Sequence, residues 1–357
     1  MVIPPPFRRL GFPTFNWRNF QMVRYSEVVL PGHPDKVCDA VAEAIVKAAL
    51  AVDPDAYAQV EVSVWDYEMW LTGSVVTSKR VPKLFKDIAK DTVIDLGYKS
   101  PNAYDARKLE VRCSVCIEID DPRQYTHHVN DQCIAIGWAG YDEKVDYLPP
   151  EHFLARSFGA ALFRSFSKGP LKGQGPDGKL VVRLREEGGE WILEYVLATV
   201  QQLNTTPFQD FVPLVTAVFE AQYHAVQDLD ARWSRPWNDV EVLINPNGPL
   251  IDGGPLSDNG QTGRKLVMDY YGPRVPIGGG ALYGKDPRHI DRFASATCKE
   301  AAIHAVQTGA KECQVTVCYA PNQSQPVDVR YEMVGRGKKL LEHRWSQSTP
   351  MDRVTMA

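Results

Sequence analysis

Three stretches of this sequence crowd cations, carboxylates and glycines closely enough to do chemistry. The first, "GHPDKVCD" (32–39), groups His33, Asp35 and Lys36 at the start of a helical pattern. A helix N-terminus offers unpaired N–H groups and a potential that favours anions. The same residues also suit a capped helix whose charges are solvated. The second, "GPDGKLVV" (175–182), sets Asp177 and Lys179 at a Pro-Asp-Gly turn leading into a strand, and as a turn it needs no function. The third runs from 244 to 292, "INPNGPLIDGGPLSDNGQTGRKLVMDYYGPRVPIGGGALYGKDPRHIDR". It interleaves glycines, three of them consecutive at Gly278, Gly279 and Gly280, with Asp258, Arg264, Lys265, Lys285, Asp286 and Asp291. Glycines without Cβ let backbone N–H groups close on phosphate oxygens. Lys and Arg supply countercharge, and Asp offers hard oxygen ligands to Mg²⁺. Gly279 to Lys285 satisfies G-x-x-x-x-G-K, but Asp286 stands where a P-loop has its Ser or Thr. On residue types the stretch is a damaged P-loop, an accident of glycines, or a different way of holding phosphates, and its interleaved cations and carboxylates favour a functional loop over a merely flexible one.

The elements that must position these stretches alternate along the chain. "DKVCDAVAEAIVKAAL" places Val37, Val41, Ala44, Ile45 and Ala48 on one helical face, with Pro34 suited to the first turn. "AQVEVSVWDYEMWLTGSVV" reads as two strands, "KRVPKLFKDIAKDTVIDLG" as a helix ending at Gly97, and "KLEVRCSVCIEI" as a third strand. A second unit opens at "NDQCIAIGWAG" and carries the helix "PEHFLARSFGAALFRSF", the strands "KLVVRLRE" and "WILEYVLATVQQ", and the helix "FQDFVPLVTAVFEAQYHAVQDL". A third begins at "DVEVLINP" and ends in the helix "DRFASATCKEAAIHAVQTGA" and the strand "CQVTVCYA". The recurrence predicts an α+β protein of three similar βαβ-type domains: 24–122, 123–241 and 242–335. Residues 1–23 read as an N-terminal extension and 336–357 as a short polar tail that frays.

Of the 357 residues, 44% are hydrophobic and 24% charged, the balance of a globular protein able to bury two or three cores. A net charge of −4 argues against broad binding to nucleic acid or an anionic membrane. No apolar run approaches the ~18 residues that span a bilayer. Seven scattered cysteines, an odd number, form no disulfide framework, so a cytoplasmic location is expected. Cys113 and Cys116 lie in an alternating strand, whose successive side chains face opposite ways and suit a metal or redox site poorly.

Taken in order, "GHPDK", "GPDGK", "INPNGPLIDGGPLSDNGQTGRK" and "GGGALYGKDPRHIDR" resemble S-adenosylmethionine synthetase, over roughly residues 24–335. The resemblance implies a three-domain α+β fold with pseudo-threefold repetition, and a dimer or dimer of dimers whose active sites are shared between subunits. It implies transfer of adenosyl from ATP to the methionine sulfur, with expulsion of tripolyphosphate that is then hydrolysed to pyrophosphate and phosphate. Two Mg²⁺ ions and often K⁺ assist in that family. By matching positions, His33 resembles the histidine near the C5′ oxygen, Asp35 and Asp291 the Mg²⁺ ligands, and Glu61 the acidic residue of the K⁺ site. Lys179, Arg264, Lys265 and Lys285 would line the triphosphate, beside the glycines 278–280. Lys36, Asp131 and Asp177 also match; Asp131 and Asp177 would serve the nucleotide, and Asp258 the amino acid.

Departures gather on the amino-acid side. Ser74 replaces a Glu, His289 a Lys near the methionine carboxylate, Pro321 an Ile, and Leu250 an aromatic residue. The segment after Pro122 is about half the family's length before "NDQ", and little follows residue 340. These changes leave two alternatives beside methionine adenosyltransfer. One is a relative that adenosylates another small nucleophile or only cleaves triphosphate; the other is a silent binding subunit.

Overall fold

The computed structural model describes residues 22–340 and Trp345. The expected extension, apart from Met22 and Val23, and most of the tail lie outside the described residues.

Met22–Val29 forms β1, and Pro34–Val52 forms α1, with Pro34 at its first position. Tyr57–Trp65 (β2) and Glu68–Thr77 (β3) make a hairpin, followed by Phe85–Asp95 (α2), Glu110–Ile119 (β4) and the single turn Arg123–Thr126 (α3). Next come Cys133–Gly140 (β5), Pro150–Lys168 (α4), Gly178–Glu187 (β6), Glu190–Val200 (β7), Phe208–Leu229 (α5) and Glu241–Ile244 (β8). The chain ends with Gly260–Gln261 (β9), Leu266–Asp269 (α6), Ile290–Gln307 (α7), Ala310–Tyr319 (β10) and Asp328–Gly335 (β11).

The strands build three sheets, ordered β1-β6-β7-β8, β11-β10-β5 and β4-β3-β2-β9. Helices α4 and α5, α7, and α1 with α2 respectively form the apolar layers against them. This is the α+β architecture read from the sequence. Each sheet mixes strands from different sequence blocks: the first draws on all three, the other two on two each. β1 pairs antiparallel with β6, β5 with β10, and β9 with the edge of β2. Alternation explains the half-buried strands: β2 buries Ala58, Val60, Val62 and Val64 and turns Tyr57, Gln59, Glu61, Ser63 and Trp65 the other way.

A threefold device recurs where α1, α4 and α7 begin. The residues preceding them, His33, Pro149 and His289, have nearly equal backbone angles (−58°/139°, −54°/131°, −55°/133°). Two positions later each helix buries a carboxylate: Asp35, Glu151 and Asp291. Trp345, far into the expected tail, is buried, and its carbonyl accepts from Tyr319 Oη at 2.7 Å. Among the described residues no helix is long and apolar enough to cross a membrane.

Candidate active site

The N-terminus of α1 gathers the first group of candidate residues. β1 delivers the chain to it alongside β6, with Val29 opposite Lys179 and Leu30 N donating to the Gly178 carbonyl at 2.8 Å. A Cβ on Gly32 would stand 2.5 Å from the Pro176 carbonyl carbon, so only glycine lets "GHPDK" close on "GPDGK". The third stretch locks on from the other side. Gln261 N donates to Asp35 Oδ1 (2.9 Å), Gly263 N donates to Asp39 Oδ1 (2.9 Å), and Lys265 pairs with Asp35 Oδ2. Arg264 lies 3.6 Å from Asp35 Oδ1. Asp35 is 1% exposed, so its charge depends on these partners.

His33 caps α1: its Nδ1 accepts from Asp35 N at 3.2 Å. Burial, reinforced by Lys265, lowers its pKa to about 4. The imidazole is therefore neutral near pH 7, and because Nδ1 accepts, its proton sits on Nε2 as a hydrogen-bond donor. Asp258 and Lys179 lie within electrostatic reach of the same ring. Lys179 is half-exposed and rests on Glu27 at 2.8 Å. Asp177 is buried, accepts from Gly254 N at 2.7 Å, and burial raises its pKa to about 6. Its observed contact is thus to the loop that carries Asp258. Lys36 points elsewhere, donating to Asp39 Oδ2 (2.8 Å) and Asp269 Oδ1 (2.7 Å).

The N-terminus of α7 gathers the second group. Residues 284–286 run beside β2: Val60 N donates to the Gly284 carbonyl (2.7 Å) and Asp286 N to the Ala58 carbonyl (2.9 Å). This presents Lys285 Nζ to Asp291 Oδ2 at 2.6 Å. Gly280 packs against the Asp291 carboxylate so closely that a Cβ there would sit 2.3 Å from its Cγ. A cleft of about 660 Å³ opens beside them, lined by Asp131, Cys133, Gly279, Gly280, Lys285, Asp291 and Pro321, among others. Glu61 lies on the outward face of β2, its pKa raised by burial and opposed by nearby Lys285. Ser74 is paired in register with Gln59, which itself bridges to Lys285.

His289 repeats the role of His33. Its Nδ1 accepts from Asp291 N at 3.2 Å, and burial followed by Lys285 lowers its pKa. It is 5% exposed and, like His33, a neutral cap. The chain thus holds two copies of one arrangement, His33–Asp35–Lys265 and His289–Asp291–Lys285. Among the described residues no hydrogen bond or ion pair joins one group to the other.

Three acidic, His or Cys side chains never cluster tightly enough to cage a metal among the described residues. Each group instead offers one buried aspartate. That donor set fits Mg²⁺, which keeps waters and takes one or two carboxylates together with phosphate oxygens.

The N-terminal domain model of S-adenosylmethionine synthetase matches residues 21–120, and its C-terminal domain model matches 252–348. The chain belongs to this family. It is 31% identical to "S-adenosylmethionine synthase 1" of Rhodospirillum rubrum, over 93% of this chain and 84% of that relative. Identity to "S-adenosylmethionine synthase" of Acaryochloris marina is 32%, over 88% and 79%, and to that of Gloeothece citriformis 30%, over 89% and 82%. The two family-matched regions carry both helix-cap arrangements described above.

Sequence spacing missed Asp39, which anchors Gly263 and Lys36 one helical turn after Asp35. The signal was present, since i and i+4 share a face. Cys133, which lines the second cleft beside Asp291, left no comparable mark.

Proposed function

We propose that this chain is a methionine adenosyltransferase. The methionine sulfur lone pair attacks C5′ of ATP, the C5′–O bond breaks, and tripolyphosphate leaves, then takes up water to give pyrophosphate and phosphate. The observation that carries this reading is the doubled His–Asp–Lys arrangement on two phosphate-suited loops. A leaving group that gathers negative charge needs fixed donors and cations, and these are preorganised in both copies. Nε2–H of neutral His33 would donate to the departing C5′ oxygen, while Lys179, Arg264 and Lys265 meet one end of the triphosphate and Lys285 the other. Asp35 and Asp291 would each hold one Mg²⁺, which supplies countercharge to the phosphates; Glu61 would serve K⁺. Lys36 and Asp177 hold the surrounding loops, and Asp131 would serve the nucleotide.

Because the two groups are not bonded to each other within one chain, we propose that the first group of one protomer faces the second group of its partner in a homodimer. The uncovered face of the β4-β3-β2-β9 sheet, with Trp65 and Trp70 exposed, supports such a contact. Domain limits near residues 123 and 242, with strands exchanged across them, belong to the same proposal, as does a cytoplasmic setting.

The test is incubation with ATP, Mg²⁺ and K⁺, with and without methionine, read by mass spectrometry. S-adenosylmethionine formed only with methionine is the expected result. A second reading, adenosylation of another nucleophile, is favoured by one observation: His289 has its Nδ1 engaged as a helix cap and is uncharged, so it supplies no cation to a carboxylate. Methionine-independent tripolyphosphate or its hydrolysis products would select that reading or simple triphosphate cleavage. Unchanged ATP would refute both.

A further inference from the structure

Two of the three carboxylates that begin the repeated helices meet a lysine, Asp35 with Lys265 and Asp291 with Lys285. The third, Glu151 at the start of α4, is 1% exposed, and both its oxygens are buried without a hydrogen-bond partner among the described residues. Arg274 and Arg24 lie within electrostatic reach of it. Arg274 stands in the chain between the two lysines, yet its fork is drawn elsewhere. Its Nη1 donates to Tyr141 Oη at 2.8 Å and its Nη2 to Glu312 Oε1 at 2.6 Å. The guanidinium also lies 5.3 Å from the centroid of the Trp138 ring. A planar fork that bridges two acceptors beside an aromatic ring fixes a chain segment in a way that a lysine cannot.

The segment so fixed is the connector 270–277, with Lys265 before it and Gly280 and Lys285 after it. Tyr270 Oη lies 2.9 Å from Ser295 Oγ of α7 and 3.3 Å from the Gly280 carbonyl. Gly272, at φ +75°, packs so closely on α4 that a Cβ there would stand 2.9 Å from His152 Nδ1. Tyr271, Val275 and Leu282 share a small apolar core with Trp138. Leu266, next to Lys265, and Tyr283, two residues before Lys285, pack against that core. Arg274 ties it to Tyr141, directly after β5, and to Glu312 in β10. Packing thus connects the two lysine loops where hydrogen bonds do not.

We propose that Arg274 is a positioning residue of the triphosphate site. The cation that would complete the third copy of the helix-start arrangement instead clamps the connector, and so sets Lys265 and Lys285 together. Arg274 touches no phosphate and acts through Tyr141 and Glu312. The proposal rests on reading the two lysines as triphosphate contacts.

Calorimetry of tripolyphosphate with Mg²⁺ on the full chain tests it, at a temperature where circular dichroism shows each variant folded. A loss of stability alone leaves the affinity of the folded protein unchanged. Arg274→Gln is expected to weaken tripolyphosphate about five-fold or more, within the range by which residues remote from a ligand modulate its binding. Tyr141→Phe and Glu312→Gln, which keep the arginine, should each reproduce part of that loss. Arg274→Gln combined with Glu312→Gln should bind as Arg274→Gln does, because the pair acts as one unit. Arg274→Lys keeps the charge without the fork and should not restore the parent affinity. Tyr141→Phe deletes a single hydroxyl, so it carries the test even if Arg274→Gln does not fold. Parent affinity in folded Arg274→Gln, in Tyr141→Phe or in Arg274→Lys overturns the proposal, as does full additivity in the double variant. A parent chain that binds no tripolyphosphate refutes the phosphate reading and this proposal with it. A parent that binds, with variants that bind equally well, removes the proposal alone.

Discussion

Position 289 distinguishes a helix cap from a substrate contact. His289 Nδ1 satisfies Asp291 N at 3.2 Å in a site where the Asp291 side chain is only 10% exposed. Replacing a capping side chain with Ala costs 0.5–2 kcal/mol, and burial of the freed N–H places this case near the upper end, about 1.5 kcal/mol. That is roughly ten-fold in the folding equilibrium, since about 1.4 kcal/mol is one decade. Asn caps as well as any residue, so His289→Asn should stay within a few tenths of a kcal/mol of the parent. Urea titration of both variants, with KM for methionine and kcat measured in parallel, gives the full comparison. The cap account expects His289→Ala to lose stability and kcat together, because Asp291 drifts from Lys285, and His289→Asn to keep both. An Asn variant of normal stability whose methionine KM rises ten-fold or more would refute the argument and make the imidazole a substrate contact.

Lys285→Ala should lower kcat by about 10²–10³, the usual loss when one preorganised donor to developing charge is removed; near-normal turnover would take Lys285 out of the phosphate site. The pH profile of kcat/KM should lack a limb near 6.5 from His33, whose pKa is about 4 in the folded chain. The unfolded imidazole takes its proton first, so stability from this neutral cap is present above pH 6.5 and is lost as pH falls towards 4; an activity limb at 6.5 that vanishes in His33→Gln would contradict this. Gly280→Ala should disturb Asp291 and reduce activity sharply, whereas Gly279→Ala, whose Cβ meets nothing within 4 Å, should fold normally. Equal melting temperatures for the two variants would show that the Asp291 contact is not tight.

The helices were legible because their apolar periodicity is local: α5 spans the residues its pattern marks, Phe208–Leu229. The hairpin β2–β3 was equally plain from alternation. Strands β1, β9 and β11 were not read. β1 buries only Ser26 and Val28, and its partner lies some 150 residues away, so nothing in the local pattern announces it. β9 is two residues long and exists because "NGQ" is held against the edge of β2. The candidate residue types were visible as motifs, but their division into two separate groups was not. Spacing along the chain carries no sign of which stretch docks on which. The capping roles of the two histidines depended on backbone angles that only the fold supplies.

The pairing of β1 with β6 also sets a timetable. Val29 cannot meet Lys179 until the ribosome has made and released about 150 further residues. At 5–20 residues per second that is roughly 8–30 s, during which α1 can form and bury its apolar face while its charged N-terminus has no partner strand. The first half of the site waits longer still, because Asp35 also needs Gln261 and Lys265, some 230 residues further along the chain. A chain interrupted before residue 187 would carry "GHPDK" on a formed helix without the geometry that makes it useful.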